Sequence, residues 1–328
     1  MTADESRRLP SDIGEPDGVL IVDKHAGVTS HDIVGKVRRL YGTKKVGHTG
    51  TLDPMATGVL VVLIGRAAKA SEYLTYDRKR YLATLRLGIT TDTEDTSGTV
   101  LTQTDCIPDF PALEAVLPEF RGTVMQIPPM YSALKQDGQK LVDLARRGIT
   151  VERQAREIRI FRLDATRTDS PADFALDVTC SGGTYIRTLC ADIGARLGCG
   201  GVMASLRRMS VGHFMLSQAH TVDELEAMSP AERRALLIPT EQLFSDLPAL
   251  RLVAFHEKLI RSGCAVAQKK LKSDLAPGAR VRLCNEAGAF FALGEAVEDS
   301  EQGSAVKAIK TFALRKNIRY KQRKRFAD

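Results

Sequence analysis

Between Val46 and Leu60 the chain reads V-G-H-T-G-T-L-D-P-M-A-T-G-V-L. Three glycines and a proline over this span defeat both a regular helix and an amphipathic strand. The stretch is therefore expected to be a shaped loop. It is also hemmed in. A helical pattern precedes it, with apolar Ile33, Val34, Val37 and Leu40, and the longest apolar run of the chain, Val59–Ile64, follows as a buried strand over 58–65. Whatever fold the chain adopts must present one carboxylate, Asp53, between Leu52 and Pro54, on a loop joining two buried elements. Scaffolds commonly place function on such loops.

The rest of the chain reads around this loop. Gly18–Asp23 is a short strand, and Ser30 is expected to cap the helix that follows. Arg66–Tyr76 reads as a helix, Arg80–Leu87 as a strand by alternation, Pro111–Leu117 as helical and Gly122–Gln126 as extended. Gly138–Arg147 is expected to be helical, and Ile158–Arg167 with Phe174–Cys180 to form a hairpin. Ser181-Gly182-Gly183-Thr184 turns into a helix over Tyr185–Leu197, with Thr184 as its cap. Val202–Phe214 is extended and Val222–Met228 a short helix. No βαβ rhythm and no internal repeat emerges, so the expected class is α+β with a mixed sheet. Near Asp246-Leu247-Pro248 the texture changes to short strands between Gly/Pro turns, Arg280–Cys284, Phe290–Val297 and Ala305–Phe312. This predicts a small β-rich domain after a boundary at 245–249.

Charge separates body from tail. The 328 residues carry 47 Lys and Arg against 40 Asp and Glu, a net +7. Seven of those cations fall between Arg315 and Arg325, leaving the first 314 residues with 40 basic against 39 acidic side chains. An evenly basic, histone-like protein is excluded. A nearly neutral body with a polyanion-seeking extension fits, as does an ordinary protein with a solvated charged end. Residues 1–17 are acidic, lack an apolar core of the signal-peptide kind and read as a disordered leader. No apolar run approaches the ~20 residues that span a bilayer, so no membrane association is expected. The six cysteines, Cys106, Cys180, Cys190, Cys199, Cys264 and Cys284, form no C-x-x-C pair. Neither zinc nor a disulfide framework is expected, and the expected compartment is the reducing cytoplasm.

For Asp53, residue types alone leave two readings: a partly desolvated carboxylate needing a cation, or an Asp-Pro turn capping its own backbone. His48 could serve as an acid/base group, a stacking ring or a satisfied loop residue. Arg187, in the first turn of the helix after Ser181–Thr184, opposes the helix dipole and so calls for an anionic partner, functional or structural. G-x-x-x-x-G-K-[ST] and G-x-G-x-x-G are absent, and no His pair has metal-ligand spacing. An Asp-dependent hydrolase is disfavoured by the lack of a second acid/base partner at readable spacing.

The loop G-H-T-G-T-L-D-P-M-A-T-G-V-L resembles the signature loop of the TruB family of tRNA pseudouridine synthases. Other segments agree in order: V-D-K-H-A-G-V-T-S-H-D (22–32), with His25 where the family usually has proline, K-R-Y-L-A-T-L-R-L-G (79–88), T-D-T-E-D (91–95), P-P-M-Y-S-A-L-K (128–135), G-T-Y-I-R-T-L (183–189) and L-R-R (206–208). The resemblance covers about residues 18–314. It implies a pseudouridine synthase fold over 18–246, with a long, mostly antiparallel sheet flanked by helices. It also implies an RNA-binding thumb at 128–155 and a small β-barrel-like PUA domain over 249–314, followed by the basic tail 315–328. The implied reaction isomerises uridine-55 in the T-loop of tRNA and needs no metal or cofactor.

By the same resemblance Asp53 is the essential carboxylate, acting on the base, on the ribose or through a glycal. Arg187 pairs with it, Tyr81 stacks on the uracil and Leu206 packs on the other side. Tyr185 and His48 contact the substrate, His48 filling the space the flipped base leaves, and Lys24, Lys69 and the run Arg146–Arg162 contact phosphates. The implied partner is the T-arm of tRNA, met by a monomer without an obligatory protein partner. Two alternatives stand beside this: a non-enzymatic RNA-binding or RNA-chaperone protein on the same scaffold, and a relative working inside a guide-RNA complex. The tail is expected to add salt-sensitive affinity rather than choice of site.

Overall fold

A computed structural model describes residues 15–74, 78–299 and 303–312. Most of the expected leader, 1–14, and the basic tail lie outside the described residues. The large domain runs β1 (Gly18–Lys24), α1 (Ser30–Tyr41), β2 (Val46–His48), β3 (Thr57–Ile64), β4 (Lys79–Leu87), β5 (Ile89–Thr91), β6 (Val100–Gln103), α2 (Phe110–Val116), β7 (Gly122–Gln126), β8 (Lys135–Gln136), β9 (Gln139–Lys140), α3 (Leu141–Ala145), β10 (Arg156–Arg167), β11 (Asp173–Cys180), α4 (Ile186–Arg196), β12 (Gly201–Val211), β13 (Phe214–Met215), α5 (Val222–Ala227) and α6 (Pro230–Ala235). The main sheet has the order β1-β3-β12-β4-β11-β10-β7, with β2 on β3 and β13 on β12. Every pairing in it is antiparallel except β3 with β12. The mixed, mostly antiparallel α+β expectation holds.

Period-2 patterning sorts the two faces of this sheet. On β4, Tyr81, Ala83, Leu85 and Leu87 point into a core shared with Leu163, Leu176, Val178 and the α4 residues Ile186, Leu189 and Ile193. The alternate positions face water, where Arg80 pairs with Asp177 and Arg86 with Asp173. Helix α4 lies hard against the sheet because Gly194 meets Gly200 and Gly201; a Cβ on Gly194 would sit 2.1 Å from the Gly201 nitrogen. That contact fixes where the first turn of α4 delivers its side chains. Helix α1 buries Ile33, Val34, Val37 and Tyr41 against β1 and β3, each burial worth roughly 1.5–3 kcal/mol.

Several local expectations are corrected. Thr29, not Ser30, caps α1, through a capping box with Asp32. No side chain of its own caps α4; Thr184 bonds back to the Ser181 carbonyl, and Gln126 from β7 takes both the N–H and the C=O of Tyr185. The segment 138–147 is not one helix. Asp137 and Gly138 both have positive φ (50° and 81°), the type I′ turn that an Asp-Gly pair favours, so β8 and β9 form a hairpin and only Leu141–Ala145 is helical. The segment after β3 is a 3-10 helix, Gly65–Tyr73. The leader is held at its end, since Asp17 accepts from the Arg66 side chain and from the amides of Arg66 and Ala67.

The second unit comprises β14 (Ala249–Arg251), α7 (Ala254–Arg261), β15 (Val266–Ala267), α8 (Gln268–Leu271), β16 (Arg280–Cys284), β17 (Phe290–Asp299) and β18 (Gly303–Thr311). Its five-stranded sheet has the order β14-β16-β17-β18-β15 around Leu252, Ile260, Val281, Leu283 and Phe291. It packs on the large domain through the rings of Phe244, Phe290 and Phe312, with Arg282 paired to Glu241.

Candidate active site

The loop joining β2 to β3 has almost no regular hydrogen bonding of its own, so its shape must come from neighbours. Three side chains supply it. Ser30 Oγ accepts from the Leu52 amide at 2.8 Å and donates to the Leu52 carbonyl at 3.1 Å. Lys24 Nζ donates to the carbonyls of His25, Pro54 and Ala56 at 3.0, 3.1 and 2.6 Å. The Arg208 guanidinium donates to the carbonyls of Val59, Thr51 and Gly50 at 2.7, 3.4 and 3.1 Å. Gly58 lets the strands close in, because a Cβ there would lie 2.2 Å from the Arg208 carbonyl oxygen. The loop is pinned at both ends and in the middle, with Leu52 buried as its apolar anchor.

Asp53 is thereby turned toward α4. Arg187 Nε lies 2.9 Å from its Oδ2, and Nη2 donates to Oδ1 at 3.3 Å. The remaining donors of that guanidinium go to the carbonyls of Thr93 at 3.1 Å and Tyr131 at 2.8 Å, and Asp95 Oδ2 stands 3.7 Å from Nη1. The Arg187 side chain is 5% exposed and that of Asp53 33%, so the cation is sealed in while the carboxylate stays open to solvent. Burial pushes the Asp53 carboxyl above the usual range and the nearby Asp95 adds to this, while Arg187 and Lys24 pull it back down. Such a carboxylate, half-desolvated and aimed by a cation, suits nucleophilic or base chemistry.

The floor below Asp53 is apolar. Tyr81 and Leu206 belong to one buried cluster with Leu52 and Ala56. They sit on adjacent strands, Tyr81 opposite Arg208 and Leu206 opposite Ala83. Burial raises the Tyr81 phenol pKa, the nearby Arg208 opposing it; at neutral pH the ring is uncharged. Tyr185, at the start of α4, is half-buried with its phenol likewise raised by burial. His48 ends β2, and its Nδ1 accepts from the Gly50 amide at 3.2 Å. Burial first, then the charges of Arg208 and His31, lower its pKa, so the imidazole is neutral. The expected Asp53, Tyr81, Arg187, Leu206, Tyr185 and His48 therefore fall on the Asp53 loop and the strand leading into it, the adjoining sheet face and the start of α4.

Two expected phosphate contacts are placed elsewhere. Lys24 is wholly buried, and its three N–H bonds are spent on the Asp53 loop. It is a clamp, with a pKa pulled down to about 8, chiefly by burial. Lys69 is exposed on the 3-10 helix beyond Ile64. That is the opposite end of β3 from the Asp53 loop, roughly 23 Å away at ~3.3 Å per residue. Conversely, residue patterns gave no role to Arg208 or Asp95; the L-R-R segment and the T-D-T-E-D turn were the available signals. Replacing Lys24 by Met is expected to leave the Pro54 and Ala56 carbonyls without donors. The melting temperature should fall by the equivalent of about 1–3 kcal/mol, and amide exchange over 49–56 should quicken. Unchanged exchange in that loop would refute the clamp.

Comparison with known proteins follows the same lines. The N-terminal domain of the TruB family pseudouridylate synthases matches residues 38–186, and the tRNA pseudouridylate synthase B C-terminal domain matches 187–245. The tRNA pseudouridine synthase B of Methylobacillus flagellatus is 42% identical over 279 residues, 85% of this chain and 91% of that one. The protein of the same name from Burkholderia mallei is 45% identical over 269 residues, 81% and 89% of the two chains. Among solved structures, a chain of a Cbf5-Nop10-Gar1 complex superposes with a TM-score of 0.69 at 26% identity, covering 95% of this chain and 93% of the other.

Proposed function

Since the chain belongs to the TruB family of pseudouridine synthases, we propose that it isomerises uridine-55 in the T-loop of tRNA, by base flipping and an Asp53-dependent rearrangement. The carrying observation is the Asp53 carboxylate held by Arg187 over the apolar floor of Tyr81 and Leu206. In the reaction the N1–C1′ bond breaks, the base turns and a C5–C1′ bond forms. C5 loses a proton and N1 gains one, so product and substrate are isomers and no oxidant or energy source enters. Whether Asp53 adds to the ribose, adds to the base or removes a ribose proton, it must be ionised. Arg187 keeps it so against burial.

A stacked uridine cannot reach this carboxylate; it must leave the loop stack, at a cost of a few kcal/mol. Tyr81 and Leu206 offset part of that cost by sandwiching the ring, and neutral His48 can stack where the base departs. We assign RNA contacts to the thumb at 128–155, where Lys135, Lys140, Arg146 and Arg147 are exposed. Its Tyr131 carbonyl bonds Arg187 and its hydroxyl meets Asp92, so thumb position and Asp53 geometry are linked. The small β-rich domain is read as a PUA-type RNA-binding module and the basic tail as a salt-sensitive arm.

The test is the protein alone with a T-arm stem-loop RNA, followed by chemical mapping of pseudouridine. Modification of the single T-loop uridine without any other component is the expected result. A requirement for a guide RNA or a second protein would defeat the stand-alone reading.

A further inference from the structure

Around the Asp53 loop, cations are numerous and almost all are spoken for. Arg187 is bonded to Asp53 and two carbonyls, Arg208 to three carbonyls, Lys24 to three carbonyls, and Arg207 to Asp23 at 2.7 Å. Lys79 differs. It opens β4 two residues before Tyr81 and so shares the Tyr81 face, opposite Cys180 on β11 and Val211 on β12. Its Nζ lies over the bare backbone of the Asp53 loop, 3.5 Å from the point where a Cβ on Gly50 would stand. Gly50 thus presents bare backbone to that ammonium. Among the described residues no acceptor is recorded for the Lys79 ammonium. Burial and the neighbouring Arg208 both lower its pKa, opposed by Cys180. A partly desolvated cation beside a second cation, with no counter-ion among the described residues, is costly unless a ligand supplies the negative charge.

We propose that Lys79, over the Gly50 backbone, binds the phosphodiester adjoining the flipped uridine. The inference rests on the RNA-modifying reading above and deepens it by naming the backbone contact that holds the extruded nucleotide. Lys79 stands on the Tyr81 face of the strand and over Gly50, whose amide is bonded to His48. A phosphate there ties the sugar at the point where the chain must turn. The contact is a point charge to phosphate, without sequence information.

The experiment is a double-perturbation cycle on binding, which does not depend on turnover. T-arm RNAs carrying a single neutral methylphosphonate at each T-loop position are titrated against the wild type, Lys79→Met and Lys79→Arg at several salt concentrations. Lys79→Met should bind unmodified RNA about 10-fold more weakly at low salt, and its log Kd against log salt should flatten by about 0.7–0.9, one phosphate's worth. One methylphosphonate next to the target uridine should weaken the wild type to a similar degree and Lys79→Met hardly further. Lys79→Arg should keep most of the affinity and the slope, and equal melting temperatures would show that the fold is intact. Losses that add independently at every position, or an unchanged slope in Lys79→Met, would overturn the assignment of Lys79. If instead the wild type shows no binding or modification of T-arm RNA, the substrate reading fails and the Lys79 inference falls with it.

Discussion

Asp53→Asn should reduce pseudouridine formation by at least about 10⁴-fold, the scale seen when a reacting group is removed from an otherwise intact site. It should do so without unfolding the site. The clamps from Lys24, Ser30 and Arg208 grip main-chain atoms of the loop, not the Asp53 side chain. Asn can still accept from Arg187, which retains Thr93, Tyr131 and Asp95 as partners. Affinity for tRNA should stay within a few-fold of wild type, and the melting temperature should move little. Asp53→Glu separates charge from position. It keeps the ionised group but moves it by one methylene, and a misplacement of ~1 Å can cost about 10² in rate. Release of the C5 proton of uridine, followed by tritium exchange, measures both variants. An Asn variant that turned over within ten-fold of wild type would remove Asp53 from the chemistry and favour the binding-protein alternative.

How far the site was legible follows from which interactions residue patterns encode. The β4 alternation and the β10–β11 pair were readable because a two-residue period with one buried face leaves a direct mark. Asp53 was readable as a carboxylate in apolar company, and Arg187 as a cation at the wrong end of a helix dipole. What holds Asp53 in place was not. Lys24, Ser30 and Arg208 act on backbone carbonyls and amides, and any residue offers those groups, so nothing in the loop's side chains points to its clamps. Lys24 therefore reads as a phosphate-contacting cation, although a strand residue two after buried Val22 and four after buried Leu20 shares their face. By residue type Thr29 and Ser30 are both competent caps, and only the pairing of Thr29 with Asp32 three residues on decides between them. The Asp137-Gly138 hairpin was a readable signal that helical spacing in Leu141–Ala145 obscured. The base-slot walls, Tyr81 and Leu206, lie on strands neighbouring in space but 125 residues apart in sequence, and only the order of the sheet brings them together.

Arg187→Lys should be the next most damaging change, with a decline in kcat of about 10²–10³ and a smaller change in KM. An ammonium is a point charge, whereas the guanidinium here serves both Asp53 oxygens, two carbonyls and Asp95 from one plane. Lys cannot reach all of them, and those it misses include the Tyr131 carbonyl that links the thumb to the site. A second consequence is electrostatic. The Asp53 carboxyl is already raised by burial and by Asp95, with Arg187 the largest opposing influence. Weakening that influence raises it further, so the acid limb of kcat against pH should move to higher pH in Arg187→Lys and further in Arg187→Met. The stability effect has a definite sign. An acid whose folded pKa lies above its unfolded value binds more protons in the folded state across the window between them, so stability falls as pH rises through that window. Arg187→Met, which leaves Asp53 and Asp95 without their shared cation, should cost about 3–5 kcal/mol at neutral pH. Relative to wild type, the deficit in melting temperature should shrink as pH is lowered toward the ordinary aspartate range. A deficit independent of pH, or an acid limb that stays in place, would mean that Arg187 only packs against the loop and does not set the charge state of Asp53.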